Sequence, residues 1–204
     1  MSKSIVVVGS GNAAMCAGIA ALDSGAQVLM LEKADEALAG GNTKYTAGAM
    51  RFAYENGDDL LPLLQNPDDP RLAVTDFGGY AKAKFAEDLL GFNDGRPLSP
   101  EQDTLINASL ATMQWLGGHG VQFEPIYSRQ SFEKNGRHVF WGGLTLAAQN
   151  EGVGLFDMEL AAFQRLGGAA GREDLHAETG EPLGKFDDAG LVGNADECSG
   201  DGGH

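Results

Sequence analysis

Cationic residues are scarce in this chain: 14 Lys and Arg stand against 29 Asp and Glu, a formal net charge of −15. Phosphate backbones are bound by clusters of Lys and Arg, so the composition argues against a nucleic-acid partner. Cysteine is rarer still. Cys16 and Cys198 belong to no CxxC or Cys/His spacing, which leaves neither a zinc site nor a disulfide framework. The four His residues show no ligand spacing, and no metal is expected. Long apolar runs are missing too. Only four apolar residues separate Ser4 from Gly9, fewer than the roughly 7–15 of a signal-peptide core. Nothing reaches the roughly 20 needed to cross a bilayer, and the expected location is the cytoplasm.

What is plentiful is glycine, 30 residues in 204, in a chain otherwise ordinary for a soluble protein at 43% hydrophobic and 21% charged. Ile5-Val6-Val7-Val8 is a β-branched run stopped by Gly9, which predicts a parallel strand buried on both faces. Asn12 to Ser24 places Met15, Ile19 and Leu22 at helical spacing, with Gly25 to close the helix, and Val28 to Leu31 is a second strand. From Lys33 to Asn56 periodicity disappears, predicting an ordered loop with a short helix. Loops of that length usually have a function.

Further on, Phe77 to Leu90 reads as a helix. Ser99-Pro100-Glu101-Gln102 opens another with a capping box and Pro at its first position, and Leu105, Ile106, Leu110, Met113 and Leu116 mark its buried face. Ile126 to Phe132 and Arg137 to Trp141 flank Asn135-Gly136, a tight hairpin signal. Leu155 to Leu166 is a last amphipathic helix. Residues 167–204 hold ten Gly and nine acidic residues against two basic ones, −7 of the −15, with no periodicity. That composition predicts a disordered tail behind an ordered region 1–166. There is no internal repeat.

Gly9-Ser10-Gly11-Asn12-Ala13-Ala14 is GxGxxA between a strand and a helix. Gly9 allows a sharp turn, Gly11 leaves room for a pyrophosphate, and Ala14 lets helix and strand pack closely. Free N–H groups at the helix start and the positive end of its dipole make an anion site that needs no cationic side chain. Glu32, at the end of the second strand with Lys33 beside it, is placed to accept hydrogen bonds from both ribose hydroxyls and to repel a 2′-phosphate. The pattern predicts dinucleotide binding without separating NAD from FAD.

The loop makes that separation. Gly40-Gly41-Asn42-Thr43, followed by Ala47-Gly48-Ala49-Met50, resembles the second flavin-contacting segment of the fumarate reductase and succinate dehydrogenase flavoproteins. The run from Gly40 to Tyr54, the segment Trp115 to Tyr127 and Trp141-Gly142-Gly143 look like the tricarballylate dehydrogenase branch, a resemblance spanning about residues 4 to 166. It implies an α/β fold: a Rossmann-like FAD-binding domain with a parallel sheet, incomplete, carrying a helical and hairpin insertion. It further implies that Gly40, Gly41, Asn42, Thr43, Gly48 and Ala49 face the flavin. Asn42 stands where covalently flavinylated members carry His, so the FAD is expected to be non-covalent.

By the same resemblance, the activity is oxidation or reduction of a CH–CH bond in a tricarballylate-like small-molecule carboxylate. A membrane iron-sulfur and heme protein is the implied redox partner. Family members are more than twice as long and hold their carboxylate-binding and proton-transferring residues further on, so the chain is expected to be an amino-terminal piece, with its catalytic residues unknown. Two competing readings are a non-catalytic dinucleotide-binding fragment and a ketosteroid-type FAD dehydrogenase. Outside the motif, His119 reads as a cap on helix carbonyls and His138 as an exposed hairpin residue. Arg129, Arg137 and Trp141 read as surface and hairpin packing.

Overall fold

The computed structural model describes residues 3–171 and 190–192. In chain order the elements are β1 (Ser4–Val8), α1 (Asn12–Asp23), β2 (Gln27–Leu31), β3 (Ala49–Met50), β4 (Thr75–Asp76), α2 (Lys82–Leu90), α3 (Pro100–Gly118), β5 (Phe123–Pro125), α4 (Tyr127–Gln130), β6 (Ser131–Lys134), β7 (Arg137–Phe140), β8 (Leu146–Ala148), α5 (Glu151–Arg165), β9 (Ala169–Gly171) and β10 (Gly190–Val192). Short 3-10 turns fill much of residues 41–74. The chain divides into two compact units, Met1–Thr46 with Leu155–His204, and Ala47–Gly154.

The first unit is built on a parallel sheet in the order β10-β1-β2-β9. β1 and β2 pair along five residues, from Ser4 opposite Gln27 to Val8 opposite Leu31, and α1 connects them. This is the expected βαβ unit. Val7, Met15, Ile19, Val28 and Met30 are buried beside Phe163 of α5. Helix and sheet meet closely at Gly18, where a Cβ would lie 2.8 Å from the Phe163 ring and 3.3 Å from Met30. Burial of β1 on both faces holds only in part, because Val8 is exposed. It sits at the carboxyl end of the strand, where open α/β sheets leave their ligand crevice.

Ordered structure continues past residue 166. β9 pairs in parallel with β2 and β10 with β1, both within the 167–204 span for which composition predicts disorder. Small residues in β9 suit a strand pressed against a neighbour, a signal that glycine-rich composition obscures. The remainder of that expectation, with His176, Cys198 and His204, lies outside the described residues.

The second unit contains two three-stranded sheets, β3-β8-β5 and β4-β7-β6. α3 opens as its sequence requires: the Ser99 hydroxyl accepts from the Gln102 amide at 3.2 Å, and the Gln102 side chain accepts from the Ser99 amide at 3.0 Å. Its buried face is Ile106, Ser109, Met113 and Leu116, whereas Leu105 is 51% exposed. The stripe is narrower than the expected one and includes a polar core residue, Ser109, whose hydroxyl accepts from the Ala53 amide at 3.0 Å and donates to the Ile106 carbonyl at 3.0 Å.

The helix expected from Phe77 begins only at Lys82. Tyr54 and Tyr80 exchange backbone hydrogen bonds at 3.0 and 2.8 Å, and a Cβ on Gly79 would lie 2.4 Å from the Glu55 carbonyl oxygen. Close backbone approach, with φ 60° at Gly78, thus keeps 77–81 out of the helix. The hairpin forms with Lys134 opposite Arg137 and positive φ at Asn135 and Gly136, 52° and 73°, as a type I′ turn demands. Its first strand starts at Ser131, since Tyr127–Gln130 form a helical turn in place of the expected strand. α5 starts at Glu151, four residues before the expected Leu155.

Candidate flavin site

Gly9 ends β1 with φ 93°, a left-handed conformation that costs glycine little, and donates to the Leu31 carbonyl at 2.7 Å. The turn therefore stays attached to β2 as it leaves the sheet. Gly11 caps α1 in an extended conformation with no side-chain hydrogen bond, and Ala14 is buried against the sheet. The start of α1 thus keeps the orphan N–H groups of every helix amino terminus. One of them is used: Asn12 donates from its amide to the Thr43 hydroxyl at 2.9 Å. Ala13, next in line, is exposed.

Ser10 is the junction of the site. The residue is only 4% exposed, and its hydroxyl accepts from the Gly40 amide at 2.9 Å and donates to Oε2 of Glu32. Oε1 of Glu32 accepts from the Ala34 amide at 2.8 Å. Partial burial pushes the Glu32 carboxyl up. The Ser10 hydroxyl and the amides of Ala34, Ser10 and Gly40 outweigh that effect and hold it below the usual glutamate range. An ionised carboxylate offers about four lone-pair sites. The Ser10 hydroxyl takes one on Oε2 and the Ala34 amide one on Oε1.

The turn Gly41–Tyr45 is anchored to the GxGxxA turn twice, through Gly40 to Ser10 and through Thr43 to Asn12. It rests on Phe156 of α5. With φ 103° at Gly40, a Cβ there would meet the Phe156 ring at 2.8 Å, and Lys44 Nζ lies 4.8 Å from that ring's centroid. The requirement for glycine at 40 is therefore internal packing. Gly41 differs, since a Cβ at that position would meet nothing within 4 Å. Gly41 and Asn42 are exposed and leave backbone open to a ligand, as is Lys33 after β2.

Ser10, Asn12, Glu32, Gly40 and Thr43 are thus joined by hydrogen bonds within the first unit. Gly48 and Ala49 belong to the second unit, where the Gly48 carbonyl accepts from the Ala148 amide at 2.8 Å and Ala49 pairs with Ala147 in β3 and β8. A Cβ on Gly48 would come within 2.7 Å of the Glu151 backbone, so this glycine too has a local structural reason.

Two features of the first unit escaped the sequence reading. Phe156 supports the 40–45 turn, and Glu159 lies wholly buried on α5 with Oε1 3.7 Å from the Cys16 Sγ and Oε2 without a hydrogen-bond partner among the described residues. Burial pushes Glu159 up to about 8, and burial together with Glu159 pushes Cys16 up to about 12. The available signal was a carboxylate at 159 inside an apolar stripe of Leu155, Phe156, Ala162 and Phe163.

In the second unit, His119 caps α3 with Nδ1 2.9 Å from the Trp115 carbonyl. His138 is half-buried against the Tyr127 ring at 4.9 Å, where the sequence predicted exposure. Arg129 pairs with Glu151 at 2.7 Å, Arg137 donates to the Thr75 carbonyl at 3.2 Å, and the exposed Trp141 stacks on Phe132. A cavity of about 420 Å³ lined by Arg71, Phe123, Tyr127 and Arg129 contains none of the predicted site residues. Among the described residues no group of His, Cys, Asp or Glu could hold a metal ion, and no helix is long and apolar enough to cross a membrane.

Residues 4–180 match the FAD binding domain family, FAD_binding_2. A cytochrome-type fumarate reductase of Shewanella frigidimarina is 42% identical over 64 residues, covering 31% of this chain and 11% of that protein. A vinyl phenol reductase of Lactiplantibacillus plantarum is 29% identical over 161 residues, covering 76% of this chain and 29% of that protein. Among solved structures, the Mycobacterium smegmatis Sdh1 complex in the apo form aligns over 94% of this chain and 28% of the other, with TM-score 0.45 and 16% identity. The chain thus spans under a third of the length of these relatives.

Proposed function

We propose, for a chain that belongs to the FAD binding domain family, that it holds FAD for a dehydrogenase or reductase acting on the CH–CH bond of a small carboxylate. The observation that carries this reading is the βαβ unit itself: β1, the Gly9–Gly11 turn, an α1 start with no side-chain cap, and Glu32 at the end of β2. The turn and the first N–H groups of α1 hold the pyrophosphate, with Gly11 giving it room. Glu32 accepts the ribose hydroxyls. Gly40 to Thr43 border the flavin ring, and Asn42 leaves the flavin free of a histidyl bond.

Bound FAD supplies a hydride acceptor. The resemblance in Gly40 to Tyr54 and Trp115 to Tyr127 supports a tricarballylate-like acid as substrate, with an iron-sulfur and heme protein to reoxidise the flavin. The test is direct. The purified chain is incubated with FAD, desalted, and its visible spectrum recorded, followed by turnover assays with tricarballylate and fumarate. Retained flavin bands with turnover support the whole reading. A colourless protein overturns it.

A second reading follows from the chain spanning 11% and 29% of its two curated relatives. On that reading the chain binds flavin without turnover, and the same experiment separates the two, since flavin would be retained while both acids stayed unreacted.

A further inference from the structure

We infer that Ser10 is a positioning residue, whose hydroxyl fixes the Glu32 carboxylate for the adenosine ribose and is itself oriented by the Gly40 amide. The inference rests on the reading of Glu32 as the ribose acceptor and deepens it. A hydroxyl has one proton and rotates to suit its surroundings. Here the rotor is set, because the Ser10 oxygen accepts from the Gly40 N–H at 2.9 Å and its proton is then left for Glu32 Oε2. Ser10 is almost completely buried, so water is excluded from replacing either partner.

Glu32 is held from two sides, by Ser10 on Oε2 and by the Ala34 amide on Oε1 at 2.8 Å. Two donors on two oxygens define the plane of the carboxylate, whereas the Ala34 contact alone would leave it free to turn about its last bond. The carboxylate face left open to a ligand then lies in a fixed orientation. Chains of hydrogen bonds polarise one another, so the Gly40 amide strengthens the bond that Ser10 gives to Glu32. A segment thirty residues away thereby helps set the ribose acceptor, an effect that GxGxxA, in which position 10 is unspecified, does not describe.

The test combines two measurements on the full chain with Ser10→Ala, the near-isosteric and weaker donor Ser10→Cys, Glu32→Gln, and Ser10→Ala with Glu32→Gln. The first needs no flavin: the carboxyl carbon of Glu32 is titrated by NMR, assigned by its loss in Glu32→Gln. Its midpoint is expected to rise in Ser10→Ala and by less in Ser10→Cys. The second is the dissociation constant for FAD. Ser10→Ala is expected to weaken FAD about tenfold, since a hydrogen bond to a charged group is worth about 1.5 kcal/mol or more. In the Glu32→Gln background the same change should cost less than twofold.

An unmoved Glu32 midpoint in Ser10→Ala overturns the inference. So does an equal loss of FAD affinity in both backgrounds, which would mean that Ser10 acts independently of Glu32. If the wild-type chain takes up no FAD, the reading of Glu32 falls, and the ribose role of Ser10 falls with it. If the wild type binds FAD and Ser10→Ala binds it equally well, only the inference falls.

Discussion

Cys16 Sγ lies 3.7 Å from Oε1 of the wholly buried Glu159, which joins α1 to α5 through a thiol and a carboxyl in the middle of an apolar face. The thiol also approaches Asn12 Oδ1 at 3.5 Å, one turn back along α1. With Oε2 of Glu159 lacking a partner among the described residues, the carboxyl is tolerable there only while it is uncharged.

Stability should therefore fall as pH rises from 4.5 to about 8. The carboxyl of Glu159 is raised from 4.5 to about 8 in the folded chain. A raised group leaves folding unpenalised below its unfolded value, and stability is lost as pH climbs from there through the folded value. Glu159→Gln removes the titration and is expected to stabilise the chain by about 3 kcal/mol at pH 9, with little effect at pH 4. Urea denaturation at both pH values checks this. An equal effect at both would show that Glu159 does not titrate in this range.

Gly11→Val should abolish FAD retention and leave far-UV circular dichroism unchanged. A branched side chain would fill the space that the motif reserves for the pyrophosphate. Flavin remaining after desalting at the wild-type level would remove this turn from the cofactor site.

Ser109→Ala is expected to destabilise the chain by about 1–3 kcal/mol, measured by denaturant titration, because the buried Ala53 amide would lose its acceptor. A surface serine on a helix would show almost no change, so the experiment separates a core hydroxyl from an exposed one.

Deleting residues 167–204 should lower the melting temperature by several degrees. Composition alone predicts no change, but β9 and β10 flank β2 and β1 in the parallel sheet, and their removal leaves both strands with an unpaired edge. An unaltered thermal transition would show that neither strand contributes.

Some of this architecture is local and was legible in the residues. The β-branched run at 5–8, Gly9 and the spacing of Met15 and Ile19 determine β1, the turn and α1. Each depends only on neighbours within a few positions, and so do the Ser99 capping box and the Asn135-Gly136 turn. The cofactor motif belongs to the same class. Gly9 is needed by the chain itself, for its φ of 93°, and the acidic residue follows at the end of the next strand.

Tertiary structure decided the rest, because the deciding partners are distant in sequence. Ser109 became a core residue through the Ala53 amide, while Leu105, apolar and one turn earlier, stayed exposed. Residues 77–81 stayed out of the helix because Tyr54 offers Tyr80 backbone partners that a helix would forfeit. Glu159 is buried against Cys16, 143 positions earlier. Ser10, unspecified in the motif, acquires its place from Glu32 and Gly40, which only folding brings to its hydroxyl. Propensity and periodicity describe a residue against its own segment, whereas hydrogen-bond satisfaction in a closed core depends on whichever groups the fold delivers there.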